Sequence, residues 1–223
     1  MEARVLYETG RTALRVILSE RESMLAEPSA IASLTLNAEL KPVPAAGERE
    51  AHAKHRGPGG FRLVQIVARS TPTEVLLCPP LPGDLLPIHV AGDGVHVVST
   101  AFVAAEARVS VKAEWAGVRG MFAWETPVLL TCDGVGELFV ASYGAFHVLE
   151  LLDGQGYRAQ TGYVVAVDRS VHCELAPAAE QTEQSPLAEG KWCDLVGPGR
   201  LYMQTRSVDA LLGRLAPRLL GAP

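Results

Sequence analysis

The chain is poor in the residues that usually betray an active centre. It has four cysteines in 223 residues, and Cys78, Cys132, Cys173 and Cys193 form no Cys-x-x-Cys pair. A thiolate zinc site needs closely spaced pairs, so these cysteines are expected to be small buried hydrophobes in a reducing cytosol. No Walker-type glycine loop is present. Gly57, Gly59 and Gly60 precede an apolar stretch rather than a helix start, so they cannot cradle a phosphate. No Gly-x-Ser-x-Gly elbow exists, since Val140 stands where Ser142 would need a glycine. A His-x-His opening for a strand-borne metal site is also missing. No apolar run approaches the ~20 residues of a membrane span. The first residues are broken by Arg4, Glu8, Arg11 and Arg15, which excludes the apolar core of a signal peptide.

Aromatic residues make up 6% and charged residues 20%, against 48% apolar, which suits a folded chain with a large core. The net charge of −5 argues against broad binding to nucleic acid or to an anionic membrane. The one cluster of bases, Arg49, Lys54, Arg56 and Arg62, is interleaved with Glu48 and Glu50, and no aromatic stacking pattern accompanies it.

What the chain does have is an internal repeat. Leu34–Leu40 alternates apolar and polar residues, and so does Ala105–Val111, 71 residues on. A third copy, Val167–Cys173, follows 62 residues later and breaks the alternation only at Arg169. Upstream, Ser29-Ala30-Ile31 matches Thr100-Ala101-Phe102 and Gly162-Tyr163-Val164 at the same offsets. A second element, Val75-Leu76-Leu77, recurs at Leu138-Phe139-Val140 and at Leu201-Tyr202-Met203, each 63 residues apart. Before it, Ile66-Val67 maps at that offset to Leu129-Leu130 and Trp192-Cys193. Period-two alternation is the signal of a half-buried strand. The reading is one all-β domain over 1–223, a sandwich or double-stranded β-helix of three pseudo-repeats at about 12–78, 84–141 and 146–206.

Turn chemistry supports many short strands. Asp93-Gly94, Asp133-Gly134 and Asp153-Gly154 predict tight hairpins. The prolines of 79–84 and of Gly197-Pro198-Gly199 mark connections. Residues 41–60 and 176–189 read as polar surface loops. Ser207 caps a predicted C-terminal helix over about 207–220, with Leu211, Leu212, Leu215 and Leu219 at helical spacing and Pro217 kinking or ending it. That stripe either packs on the chain's own sheet or docks on a partner, which makes Leu211, Leu215 and Leu219 the candidate partner-binding residues.

The chain has six histidines. His89, His147 and His172 stand singly in apolar strands and are expected to be hydrogen-bonded core or rim residues. His52 and His55, with Glu48 and Glu50, would share a face if their loop turned helical, and they are the candidate metal ligands. Ordering such a loop would cost ~1–2 kcal/mol per residue, so no metal or other cofactor is expected.

The segments LPGDLLPIHVAGDGVHVVSTAFVAAEARVSV, GELFVASYGAFHVLEL, TGYVVAVDRSVHCEL and GPGRLYMQTRS resemble the altered-inheritance-of-mitochondria protein 24 family over about residues 14–212. The resemblance implies a tripled form of the trp RNA-binding attenuation protein fold, assembly as a homotrimer and a link to membrane organisation. It brings no catalytic residues. The N-terminal third departs from the pattern, with Ser29 in place of a glycine and the charged 41–60 loop in place of a Gly-rich stretch. The expectation is a non-catalytic assembly or interaction protein, not an enzyme, that works as a homo-oligomer in the cytoplasm or at the periphery of a membrane. The alternative is a ligand- or RNA-binding module with sites between subunits.

Overall fold

A computed structural model describes residues 1–7, 10, 12–43, 61–113, 129–176 and 191–219, with 113 and 216–219 as backbone only. The first strands are β1 (Glu2–Leu6), β2 (Ala13–Leu18), β3 (Ser23–Ala26), β4 (Ile31–Leu34), β5 (Ala38–Val43), β6 (Leu63–Ala68) and β7 (Thr73–Leu77). Next come β8 (Leu85–Val90), β9 (Val95–Val98), β10 (Phe102–Glu106), β11 (Val109–Ala113), β12 (Leu129–Gly134) and β13 (Gly136–Ala141). The last are β14 (Phe146–Leu151), β15 (Gly156–Gln160), β16 (Val164–Asp168), β17 (His172–Leu175), β18 (Trp192–Val196) and β19 (Gly199–Gln204). Helix α1 (Val208–Leu219) follows. Short 3₁₀ turns at Pro28–Ala30, Ser99–Ala101 and Thr161–Tyr163 lead directly into β4, β10 and β16. The protein is thus mostly β, with several antiparallel sheets and one short C-terminal helix.

Among the described residues the strands form four sheets, in the orders β1-β2-β7-β4, β5-β6-β3-β10-β13-β8, β11-β12-β9-β16-β19-β14 and β15-β18-β17. The ladders pair the two sequence elements that recur. Leu34 lies opposite Val75, Ala105 opposite Leu138 and Val167 opposite Leu201. Each of these three pairings carries a register shift at the same place, just after Ile31, Phe102 and Val164. A bulge there bends the strand as it leaves its 3₁₀ turn.

Two joints build the six-stranded sheets. β3 pairs with β10, with Ala26 opposite Ala104, and β9 pairs with β16, with Val97 opposite Ala166. At the joints β10 and β16 are buried on both faces over four residues each, Phe102–Ala105 and Val164–Val167. Alternation holds in β7, where Thr73, Val75 and Leu77 are buried and Glu74 and Leu76 are not, and gives way again in β12 and β13, where Leu129–Cys132 and Leu138–Ala141 are buried throughout. Three apolar clusters form the core, the largest around Val97, Leu130, Leu138 and Tyr202. The two strand prolines for which sheet position matters, Pro42 and Pro87, sit on outer strands β5 and β8, where a missing N–H breaks no ladder.

Several expectations need correction. The three Asp-Gly pairs do turn the chain, and Gly94, Gly134 and Gly154 hold φ of 85°, 112° and 70°. They do not close hairpins. In each case the strands on either side belong to different sheets, so the turn carries the chain from one layer to the other. Adjacent antiparallel strands are instead joined by long links, as in β5–β6 and β17–β18. Strand β5 extends to Val43, so 41–43 are strand rather than loop, and the remainder of the 41–60 segment lies outside the described residues. Gly199 opens β19 rather than belonging to a connection. Helix α1 continues two residues past Pro217, so the proline does not end it. Cys78 is exposed, against the expectation of burial, because it lies just past β7 at the start of the proline-rich link.

Candidate functional site

The three 3₁₀ turns converge. Glu27–Ala30, Val98–Ala101 and Thr161–Gly162 all line one cavity of about 920 Å³. Its walls are largely apolar, from Phe102, Val103, Val164, Val165 and Leu81, and Val208, Asp209 and Leu212 of α1 border it. The volume lies within the ~300–1,000 Å³ of small-molecule sites.

The polar groups around this cavity are mostly spent on holding it. The Gln204 carboxamide accepts from the Tyr143 N–H at 2.8 Å and donates to the Gly162 carbonyl at 3.0 Å, tying β19 to the third turn. Ser142 Oγ donates to the Gly144 carbonyl at 2.6 Å and accepts from the Asp84 N–H at 3.2 Å. Glu27 accepts from the Ala30 N–H at 3.2 Å and from the Ser29 hydroxyl, closing the first turn on itself. Arg206 lies over the Tyr143 ring, 5.8 Å from its centre.

Helix α1 stands at the rim. The buried Ser207 caps it, accepting from the Ala210 N–H at 3.4 Å. Asp209 in the first turn suits the positive end of the helix. The apolar stripe beyond is not covered. Leu211, Leu212 and Leu215 are 41%, 55% and 38% exposed. Leu219 is the last helical residue, and its side chain lies outside the described residues.

A smaller hollow of about 250 Å³ is lined by His96, Arg169, His172 and Cys173. Its charges are engaged. Arg169 donates to Asp133 at 2.8 Å and to the Asp93 carbonyl at 3.0 Å, and His172 meets Glu174 at 2.8 Å. His96 Nδ1 lies 3.1 Å from Thr131 Oγ1. Burial pushes the Cys173 thiol up to about 11, so it is no ready nucleophile. His89, on the rim of β8, lies 2.9 Å from Glu137, and His147 is exposed on β14. The candidate metal ligands His52 and His55 lie outside the described residues. Among the described residues no three His, Cys, Asp or Glu side chains are placed to hold a metal, and no helix is long and apolar enough to cross a membrane.

The sequence reading singled out the leucines of α1 but missed the cavity. No residue type announces it, because the turns that line it are short apolar or hydroxyl-bearing segments that become neighbours only through the folding of distant strands.

Shared antiparallel sheets, 3₁₀ turns that feed bulged strands and a terminal helix at the rim of a common cavity define an all-β protein. Its architecture matches that of a Streptococcus pyogenes protein of known crystal structure, with a TM-score of 0.78 and 17% identity over 97% of this chain and 99% of that one. The chain belongs to the mitochondrial biogenesis AIM24 family, whose model matches residues 3–206. No curated protein gives a significant match.

Proposed function

We propose that the protein is a non-catalytic assembly factor that acts as a homo-oligomer and uses the leucine face of α1 to dock. The observation that carries this reading is the exposure of Leu211, Leu212 and Leu215 on one helix, beside the mouth of the cavity. A helix of 12 residues gains little stability from propensity alone, and an uncovered apolar stripe is costly in water. Docking would bury it.

In the same reading the chain is three copies of one unit in a double-stranded β-helix arrangement. The pairs Leu34–Val75, Ala105–Leu138 and Val167–Leu201, each beside a bulge, support it. One sequence match shifts under this alignment. Ile66 pairs with Met24 and Cys132 with Val95, so Cys132 rather than Leu129 is the counterpart of Ile66. A trimer is the state to test for, by resemblance to the family.

Light scattering after gel filtration tests the reading. The wild-type chain should elute at a multiple of 23.8 kDa. The pair Leu211→Asp and Leu215→Asp should lower that mass, or release a partner that co-purifies with the wild type, while leaving the β-sheet circular dichroism unchanged. A monomeric wild type with no partner would defeat the proposal.

The cavity favours a second reading, a ligand-binding module. Native mass spectrometry of gently purified protein would support it by an added mass that Ala101→Trp, which narrows the cavity, removes.

A further inference from the structure

We propose that the cavity bordered by α1 takes a monocarboxylate with a long aliphatic tail, its carboxylate held by Arg62. This rests on the ligand-binding reading above and names the chemistry of the ligand.

The walls have few hydrogen bonds to give. Gln204, Ser142 and Glu27 spend their side-chain oxygens and nitrogen on neighbouring main chain and on Ser29. A sugar or a nucleobase enclosed there would leave several of its own polar groups unpaired. The remaining wall is largely Leu81, Ala101, Phe102, Val103, Val164 and Val165, which favours apolar ligand surface, and Leu212 extends that lining onto α1. The aromatic rings are engaged as well. Phe61 stands edge-on to Phe102, with ring centres 5.5 Å apart and planes at 88°, and the Tyr143 ring carries Arg206. A flat aromatic ligand would have to displace one of these contacts to stack, whereas an aliphatic chain needs only surface contact.

Charge selects the head group. Among the described residues, three charged side chains line the cavity, Glu27, Arg62 and Asp209. Glu27 is closed on its own turn, and Asp209 stands in the first turn of α1, where the positive end of the helix suits it. Arg62 differs from both. It is exposed just before β6, and its guanidinium makes no ion pair or hydrogen bond among the described residues. An unpaired guanidinium offers a fork of donors that the two oxygens of a carboxylate fill. The two acidic neighbours oppose further negative charge. One carboxylate therefore suits the site, and a phosphate dianion or a nucleotide does not.

Titration calorimetry with dodecanoate, methyl dodecanoate and dodecylammonium, each kept below its micelle-forming concentration, tests head and tail separately. Dodecanoate should bind the full-length chain at least about fivefold more tightly than the ester or the amine. Arg62→Gln should remove that advantage and leave ester binding unchanged, and Arg62→Lys should keep part of it. Ala101→Trp, with its β-sheet circular dichroism unchanged, should weaken all three. Equal binding of acid and ester, tighter binding of the amine, or an Arg62→Gln chain that keeps the full preference overturns the carboxylate assignment and leaves the ligand-binding reading standing. No binding of any probe, together with an added mass in native mass spectrometry, overturns the aliphatic class alone. No binding and no added mass defeats the ligand-binding reading with it.

Discussion

At the scale of single residues, the tightest constraint is Gly83. A Cβ there would stand 1.8 Å from the Ser142 carbonyl oxygen and 2.9 Å from that of Gly144. The links before β8 and β14 run against each other at this point, with Gly144 N donating to the Pro82 carbonyl at 3.0 Å and Asp84 N to the Gly144 carbonyl at 3.1 Å. Backbone cannot move aside as a side-chain tip can. Gly83→Ala should cost more than about 2 kcal/mol in urea unfolding, and an unchanged midpoint would show that the links separate freely. The thiols give a second check at this scale. Burial pushes Cys132 and Cys193 up to about 12 and Cys173 up to about 11, while Cys78 is exposed. Iodoacetamide at pH 8 should modify Cys78 alone in the native protein and the other three thiols only in denaturant, as counted by intact mass. A third check concerns charge. The Arg158 guanidinium, 2.7 Å away across the β15–β18 ladder, holds the Asp194 carboxyl below the usual carboxylate range. A lowered carboxylate favours the folded state above the unfolded value of ~4 and ceases to do so as pH falls through the folded value. Asp194 is 37% exposed, so Asp194→Asn should cost under about 1 kcal/mol at pH 7, and the difference should shrink as pH falls below the unfolded carboxylate value.

At the scale of elements, the three alternating segments marked strand-rich stretches but are not single strands. Leu34–Leu40 and its two successors each fall on a strand, a connection and the start of the next strand. Alternation fails at β10, β12, β13 and β16, interior strands of the two six-stranded sheets that each carry four buried residues in a row. The Asp-Gly pairs marked real turns, but local chemistry could not say that the next strand lies in another sheet. Ser207 was legible as a cap because its hydroxyl acts within three residues of itself. Ser207→Ala should cost about 1 kcal/mol and fray α1, visible as faster amide exchange over the helix alone. The leucine stripe was legible as a stripe. Its exposure was not, since that depends on what stands opposite it.

At the scale of the molecule, the cavity was invisible in the sequence for the same reason. Its lining comes from segments as far apart as Pro28 and Leu212. Stability lies in the layers beneath. Leu138 and Leu195 are fully buried in separate clusters, so Leu138→Ala and Leu195→Ala should each cost about 2–5 kcal/mol in thermal or urea unfolding. Leu212→Ala, at 55% exposure, should leave the midpoint within about 0.5 kcal/mol while still altering assembly. That contrast separates residues that hold the fold from residues that meet a partner.

The joints within the six-stranded sheets are made by main-chain ladders, and their side chains differ, with Ala105 opposite Leu25 in one and Val167 opposite His96 in the other. A peptide group bonds in the same way whatever side chain it bears. Divergence can therefore run far without disturbing how the sheets are shared, which accounts for a near-complete structural match at 17% identity. Mutational drift should be slow at Ala104 and Ala166, which are 0% and 1% exposed and leave no open space for a larger side chain.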